Sequence, residues 1–370
     1  MDKKILASIV IIVIAIFVMI FAVSLSITAN FGLQNDRVIV GVQTILTGEN
    51  AVYGSYAQQG MNLAVSEINL NGGVNGKKIE LIYEDDQANP TLAVNVIQKL
   101  LTQNPKAIVS FTGSGATLAV TPILEDNNVP TIVGLASNSK IKDAGDYIFR
   151  TIPSDSFQAN QWVEFVEDKY SKPAILYVNN SWGKGLEETF LENYSGKVYV
   201  EEMQEGTNDV KSQLVKIKNY NPDVLIVPCY IRECVTTIKQ MSELNIHLPI
   251  ISGDNFYNKE ILDAVDGKAE GVILTRPSEG SGKEWDSFKE KFIAKYNKEP
   301  NVIDAYAYDA MYTLYYALKD SDLTSEGIKN ALYGVDFVGA TGRNKFDSFG
   351  EVSKSFQWAI VRYGEFWDYN

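Results

Sequence analysis

Two cysteines and one histidine are all that the 370 residues contain, and this scarcity removes several classes of function at once. Cys229 and Cys234 lie five apart, where a strand gives way to a helix, so they suggest neither a secreted-type disulfide framework nor a zinc cluster. Two buried thiols are the expectation here, with a local bridge as the alternative. The lone His247 lies in Asn245-Ile246-His247-Leu248-Pro249, between a helix and a strand, a place for surface or packing roles. The sequence has no Gly-x-Ser-x-Gly elbow, no His/Cys metal spacing and no convincing carboxylate pair. Asp85-Asp86, after the strand in Tyr83-Glu84-Asp85-Asp86, reads as a solvated loop. No Gly-Lys-Ser/Thr phosphate loop occurs, and the turn at Gly113 lacks the third glycine of a dinucleotide fingerprint because Leu118 follows Thr117. With no base, nucleophile, metal or cofactor site in view, binding is a simpler reading than catalysis.

Basic residues are also in short supply: 33 Lys and Arg stand against 46 Asp and Glu, a formal charge of -13. That balance argues against a nucleic-acid partner. Charge is absent altogether from Ile5 to Val23, and none appears until Asp36, so this apolar run is long enough to span a bilayer. Lys3 and Lys4 before it would hold the N-terminus in the cytoplasm and send the rest of the chain outside. An uncleaved anchor helix is expected, a cleaved signal peptide being the alternative. No cysteine follows the run, which leaves the helix itself as the only tether.

About 340 residues remain, too many for one ordinary core and a natural length for two α/β lobes. From Val38 onward, short β-branched runs alternate with helical-period segments, the pattern of a doubly wound parallel sheet. A first series runs from strand Val38–Thr44 to strand Thr131–Val133. The rhythm restarts near Tyr147 to Pro153, and a second series runs to Val272–Thr275. Three helices follow Arg276-Pro277, then an apolar strand, Phe356–Val361, which is assigned to the second series. The expected organisation is an anchor and linker over 1–35, an N-terminal lobe from 36–152 plus 278–348, and a C-terminal lobe from 153–277 plus 349–370. No Pro- or Ser-rich linker separates the halves, which fits lobes joined by several ordered crossings.

Open parallel sheets bind ligands beyond the carboxyl ends of their strands. On the first lobe those ends lead into Thr112-Gly113-Ser114-Gly115-Ala116-Thr117, an anion-welcoming turn into a helix, and into Gly134-Leu135-Ala136-Ser137-Asn138. On the second they lead into Asn179-Asn180-Ser181-Trp182-Gly183, Pro228-Cys229-Tyr230 and Gly253-Asp254-Asn255. Hydroxyls and N–H groups thus face a carboxylate and aromatics, an arrangement suited to a zwitterion. Each residue has a plainer role available: Asp254 can cap a helix, and Trp182 or Tyr230 can simply pack.

These stretches, with Thr47-Gly48 through Tyr53-Gly54, Gly72-Gly73-Val74-Asn75-Gly76, Trp182-Gly183-Lys184-Gly185 and Phe356-Gln357-Trp358, resemble the branched-chain amino acid-binding proteins among type I periplasmic solute-binding proteins. The resemblance covers nearly all of the chain from Val38 onward. It implies that Ser114 and Ser137, with backbone groups at Gly115 and Ala136, hold a ligand's α-carboxylate. Asp254 stands where the family places an acidic partner for the ammonium, one methylene shorter than the frequent glutamate. Tyr53, Trp182 and Tyr230 would line the side-chain pocket, Trp182 replacing a more usual tyrosine. The implied mechanism is lobe closure about Ile152-Pro153, Arg276-Pro277 and Ser348-Phe349, recognised by the permease of an ABC importer. The alternative is a sensing domain for an amide or small carboxylate, signalling through a separate partner.

Overall fold

The computed structural model describes residues 16, 18, 19, 37–278, 280 and 282–369. The apolar run expected to anchor the chain lies almost wholly outside these residues; among those described, no helix is long and apolar enough to cross a membrane. The first sheet takes β1 (Arg37–Thr44), β2 (Lys78–Asp85), β3 (Ala107–Phe111), β4 (Thr131–Val133) and β5 (Ile148–Arg150) in the order β2-β1-β3-β4-β5, all parallel. Every residue of β3 is buried, as expected of a strand covered on both faces. One cover is α1 (Ala51–Leu70). The other is built from α2 (Pro90–Leu101) and α3 (Ser114–Asp126), whose apolar residues form a separate cluster with Ile108, Val133 and Ile148.

The second sheet has seven strands. β6 (Pro173–Val178), β7 (Tyr199–Met203), β8 (Val224–Val227), β9 (Ile250–Ser252) and β10 (Ile273–Pro277) run parallel, while β13 (Phe356–Arg362) and β14 (Glu365–Asp368) extend it antiparallel in the order β14-β13-β10-β9-β8-β6-β7. Its helices are α4 (Asp155–Lys169), α5 (Ser181–Asn193), α6 (Lys211–Tyr220), α7 (Ile231–Glu243) and α8 (Lys259–Val265), packed around one large core. The chain then returns to the first lobe with α9 (Lys283–Tyr296), α10 (Val302–Lys319) and α11 (Ser325–Tyr333), and a small hairpin of β11 (Asp336–Gly339) and β12 (Gly342–Lys345). Helix α10 starts with a reciprocal capping box between Asn301 and Asp304. It lies so close to α1 that a Cβ on Gly60 would run into the Asp304 carbonyl.

The crossings between the two lobes are stitched by buried polar groups. Arg150, essentially unexposed, pairs with Glu351 of the last crossing and donates to the carbonyls of Ser137 and Asn138, both at 2.7 Å. Lys354 is also buried and donates to the Thr151 carbonyl (3.0 Å), Thr341 Oγ1 (2.7 Å) and Asn344 Oδ1 (2.9 Å). Its burial pushes the ammonium pKa down to about 8, against the attraction of Asp309.

Two readings of the sequence need correction. Asp86 is not in a solvated loop: it is fully buried and accepts hydrogen bonds from Gln43 Nε2 (2.7 Å), Thr112 Oγ1 (2.8 Å) and the Ala88 N–H (2.9 Å), tying together the ends of β1, β2 and β3. Asp85 similarly organises the next turn through Leu46 N–H (2.8 Å) and Thr47 Oγ1 (2.5 Å). Cys229 and Cys234 are not free thiols but form a disulfide across 5.4 Å between Cα atoms.

Candidate functional site

In the first sheet, β1 lies between β2 and β3; in the second, β6 lies between β7 and β8. At each of these points the connections diverge to opposite sides, leaving a crevice beyond the strand ends. The two crevices face one another, and a cavity lies between them. Ile45 follows β1, Ser114 follows β3, Trp182 follows β6 and Tyr230 follows β8; all four line it. Leu135 and Ser137 enter from beyond β4, and Asp254 from beyond β9. The cavity volume is about 60 Å³, several waters' worth, since one water needs ~10–15 Å³. This is space for a small solute.

One wall is the start of α3. Gly113 is its N-cap and offers no side chain, and the first helical hydrogen bond runs from the Thr117 N–H to the Gly113 carbonyl (3.0 Å). The N–H groups ahead of it are therefore left for another acceptor, in the positive field of the helix end. Ser114 Oγ accepts from the Asn138 N–H (3.3 Å), so its own proton is free to point elsewhere. Ser137 stands alongside, on a loop gripped by Arg150.

The opposite wall is acidic, and among the described residues no lysine or arginine lines the cavity. Burial raises the Asp254 carboxyl to about 6, although Gln158 Nε2 donates to it at 3.3 Å. Behind it lies Asp155, the first residue of α4 and fully buried. Burial first, and then the charge of Asp254, push Asp155 up to about 8 against the pull of Ser137, Arg150 and Trp182. Those neighbours are near, but neither carboxylate oxygen of Asp155 has a partner in hydrogen-bond geometry, and nor does Gln158 Oε1. Unsatisfied buried acceptors of this kind are costly.

Aromatic rings close the remaining sides. Trp182 and Tyr230 stack at 5.0 Å with 20° between their planes. Tyr53 reaches across the cleft, donating to Asn255 Oδ1 at 2.8 Å; burial raises its hydroxyl pKa, so the phenol is neutral. The lobes also meet through Asn138 Nδ2 to the Ser181 carbonyl (2.6 Å) and through a Glu49–Arg232 ion pair (2.7 Å). Gly185, in the Trp-Gly-Lys-Gly stretch, is needed here because a Cβ would strike the Asn138 carboxamide.

Of the residues singled out in the sequence, Tyr53, Ser114, Ser137, Trp182, Tyr230 and Asp254 all line this cavity. Gly115 and Ala136 do not. A Cβ on Gly115 would meet Ser181 Oγ at 3.2 Å, at the seam between lobes, and Ala136 is buried in the core beside α3 while its neighbour Leu135 takes the cavity position. Sequence reasoning missed Tyr56, Tyr257 and the start of α10, which line the cavity, and Asp155, which is buried behind Asp254. An acid at the first position of a helix reads as a favourable dipole partner, and only the packing shows that it lacks one.

The profile of the periplasmic binding protein family matches residues 37–362. This chain belongs to that family. It is similar to a leucine-, isoleucine-, valine-, threonine- and alanine-binding protein of Pseudomonas aeruginosa, 26% identical over 349 residues that cover 90% of this chain and 92% of the relative. It is also similar to Leu/Ile/Val-binding protein homolog 1 of Brucella abortus, 26% identical over 294 residues, 76% of this chain and 78% of the other. Among solved structures, the branched-chain amino acid transporter binding protein LivJ of Streptococcus pneumoniae, in complex with isoleucine, superposes with a TM-score of 0.81. It is 30% identical, with 89% of this chain and 97% of that one covered. The type I α/β architecture is thus that of a family of solute-binding receptors.

Proposed function

We propose that this chain is the extracytoplasmic receptor of an ABC importer and captures an α-amino acid with a branched or similarly small apolar side chain. The observation that carries this reading is the pairing, inside one small cavity, of an open helix N-terminus with the Asp254 carboxyl, behind which Asp155 is buried. The ligand's carboxylate would take the free N–H groups at the start of α3 and the hydroxyls of Ser114 and Ser137. Its ammonium would sit before Asp254, the acid that lines the cavity. Its side chain would lie against Ile45, Leu135, Tyr53 and the Trp182–Tyr230 stack.

Because the anion site and Asp254 belong to different lobes, only the closed arrangement satisfies both ends of a zwitterion, so ligand would shift the population toward closure. Closed receptor is then what a permease recognises, and nothing in this scheme requires a chemical step on the ligand. The disulfide fits a location outside the cytoplasm. The apolar run Ile5 to Val23 would tether the receptor beside its transporter and raise its local concentration; carbonate extraction of membranes tests that part, release of the chain refuting the tether.

Calorimetric titration with leucine, 4-methylpentanoate and 3-methylbutylamine tests the zwitterion site. Leucine is expected to bind and the two analogues, each lacking one charged end, to bind at least about 10-fold more weakly, since each forfeits charge-assisted hydrogen bonds worth ~1.5–3 kcal/mol. Equal binding of the amine-free acid would refute the role of the acidic wall.

A further inference from the structure

The disulfide occupies an unusual place. Tyr230 is the N-cap of α7, a position where Ser, Thr, Asp or Asn normally accepts a hydrogen bond from the first turn, yet Tyr230 provides no such bond. Its ring is committed elsewhere, to the cavity and to the stack on Trp182. The residue at the third helical position, which in a capping box would reach back, is Glu233, and its carboxylate accepts instead from the Gly206 N–H at 2.5 Å. The helix start therefore lacks the usual side-chain devices.

What it has is a covalent one. Cys229 precedes the N-cap and Cys234 is the fourth helical residue, the two positions at which apolar side chains pack as a hydrophobic staple and set the entry angle of the chain. Both are 1% exposed. Between them stand Tyr230, which lines the cavity, and Arg232, which crosses the cleft to Glu49. We propose that the Cys229–Cys234 bridge is a positioning element of the receptor: a covalent staple that replaces the missing cap, aims Tyr230 at Trp182 and Arg232 at the opposite lobe, and so supports both ligand affinity and lobe closure. The affinity half rests on the amino acid reading above; the closure half does not.

The test uses the full chain with C229A/C234A, measured beside wild type by leucine titration, by small-angle scattering without ligand, and by urea unfolding. Leucine affinity is expected to fall at least about 10-fold and the radius of gyration to rise, with unfolding still cooperative. A second variant, C229L/C234L, restores an apolar staple without the bond, and keeps the test open should the alanine pair fail to fold; it is expected to fold and still to bind less tightly than wild type. Wild-type affinity and radius of gyration in a folded variant, whatever its unfolding midpoint, overturn the proposal and leave the bridge a mere stabiliser. If wild type binds neither leucine, isoleucine nor valine, the amino acid reading has failed, and the radius of gyration alone decides the bridge's role.

Discussion

Replacing Asp254 by Asn should make the ligand-free protein more stable and its ligand binding worse. Burial raises the Asp254 carboxyl from 3.8 to about 6, so the folded state holds its proton more tightly than the unfolded chain. The ionised carboxylate therefore opposes folding. That cost is absent below pH 3.8, grows as the unfolded chain ionises first, and is complete above about pH 6. One pKa unit is worth 1.36 kcal/mol, which puts the full cost at about 3 kcal/mol. The Asn variant escapes it, so urea unfolding at pH 7.5 should show a gain of about 3 kcal/mol, shrinking to under ~1 kcal/mol at pH 4. Asp155 should respond as well, its carboxyl falling once the neighbouring charge is gone. In calorimetry at pH 7.5 the same variant should bind leucine about 10- to 100-fold less tightly, the loss of a hydrogen bond between charged groups. Wild-type binding should weaken as pH falls below about 6, while the variant loses that dependence. A variant no more stable than wild type at pH 7.5, or one that binds leucine equally well, would refute the picture of a receptor that keeps a carboxylate without a cationic partner for its ligand.

Ser114→Ala removes a hydroxyl whose proton is free beside the α3 N-terminus and which accepts from the buried Asn138 N–H; leucine affinity should drop about 10-fold in calorimetry, and urea titration should show a loss of ~1–3 kcal/mol for the stranded N–H. Gly185→Ala places a methyl against the Asn138 carboxamide across the cleft. Scattering should show a larger ligand-free radius of gyration, and affinity should fall about 10-fold or more, as overpacking typically costs 1–3 kcal/mol; unchanged closure would count against the contact. Lys354→Ala strands three buried acceptors at the hinge and should destabilise the protein by about 3 kcal/mol or more in urea titration. In wild type the lowered Lys354 pKa, about 8, means that the unfolded chain still holds this proton when the folded one has lost it. Lys354 should thus add stability as pH rises from about 8 to 10.5, and the variant should lack that contribution.

The two-lobed fold was legible because its signals are local and repeated. Buried runs such as Ala107–Phe111 and Val224–Val227 alternate with capped helices, and even the return of β13 to the second sheet could be read from an apolar run at the end of the chain. Strands β11, β12 and β14 escaped notice because they are four residues long and largely exposed, so burial imprints no period on them. Five cavity-lining residues, Ser114, Ser137, Trp182, Tyr230 and Asp254, were found by inspecting the positions just beyond each strand's carboxyl end, where the topology of a parallel sheet puts its ligands, and Tyr53 came from the family resemblance. The burial of Asp86 and Asp155, which lie outside the cavity lining, could not be read, since it depends on how distant parts of the sequence enclose each carboxyl. The disulfide was undecidable at five residues' separation because bridging depends on the direction of Cβ atoms around a helix start.

Arg150 joins two parts of the molecule that are usually considered separately. Its guanidinium holds the backbone of the Ser137 loop and, through Glu351, the third crossing of the hinge. In the proposed receptor, recognition and closure are consequently built from one hydrogen-bonded piece. A lineage that altered the loop to accept a new ligand would also retune how far and how easily the jaws swing. New specificities should arise more readily on the aromatic side of the cavity, where a ring can be exchanged without disturbing the axle.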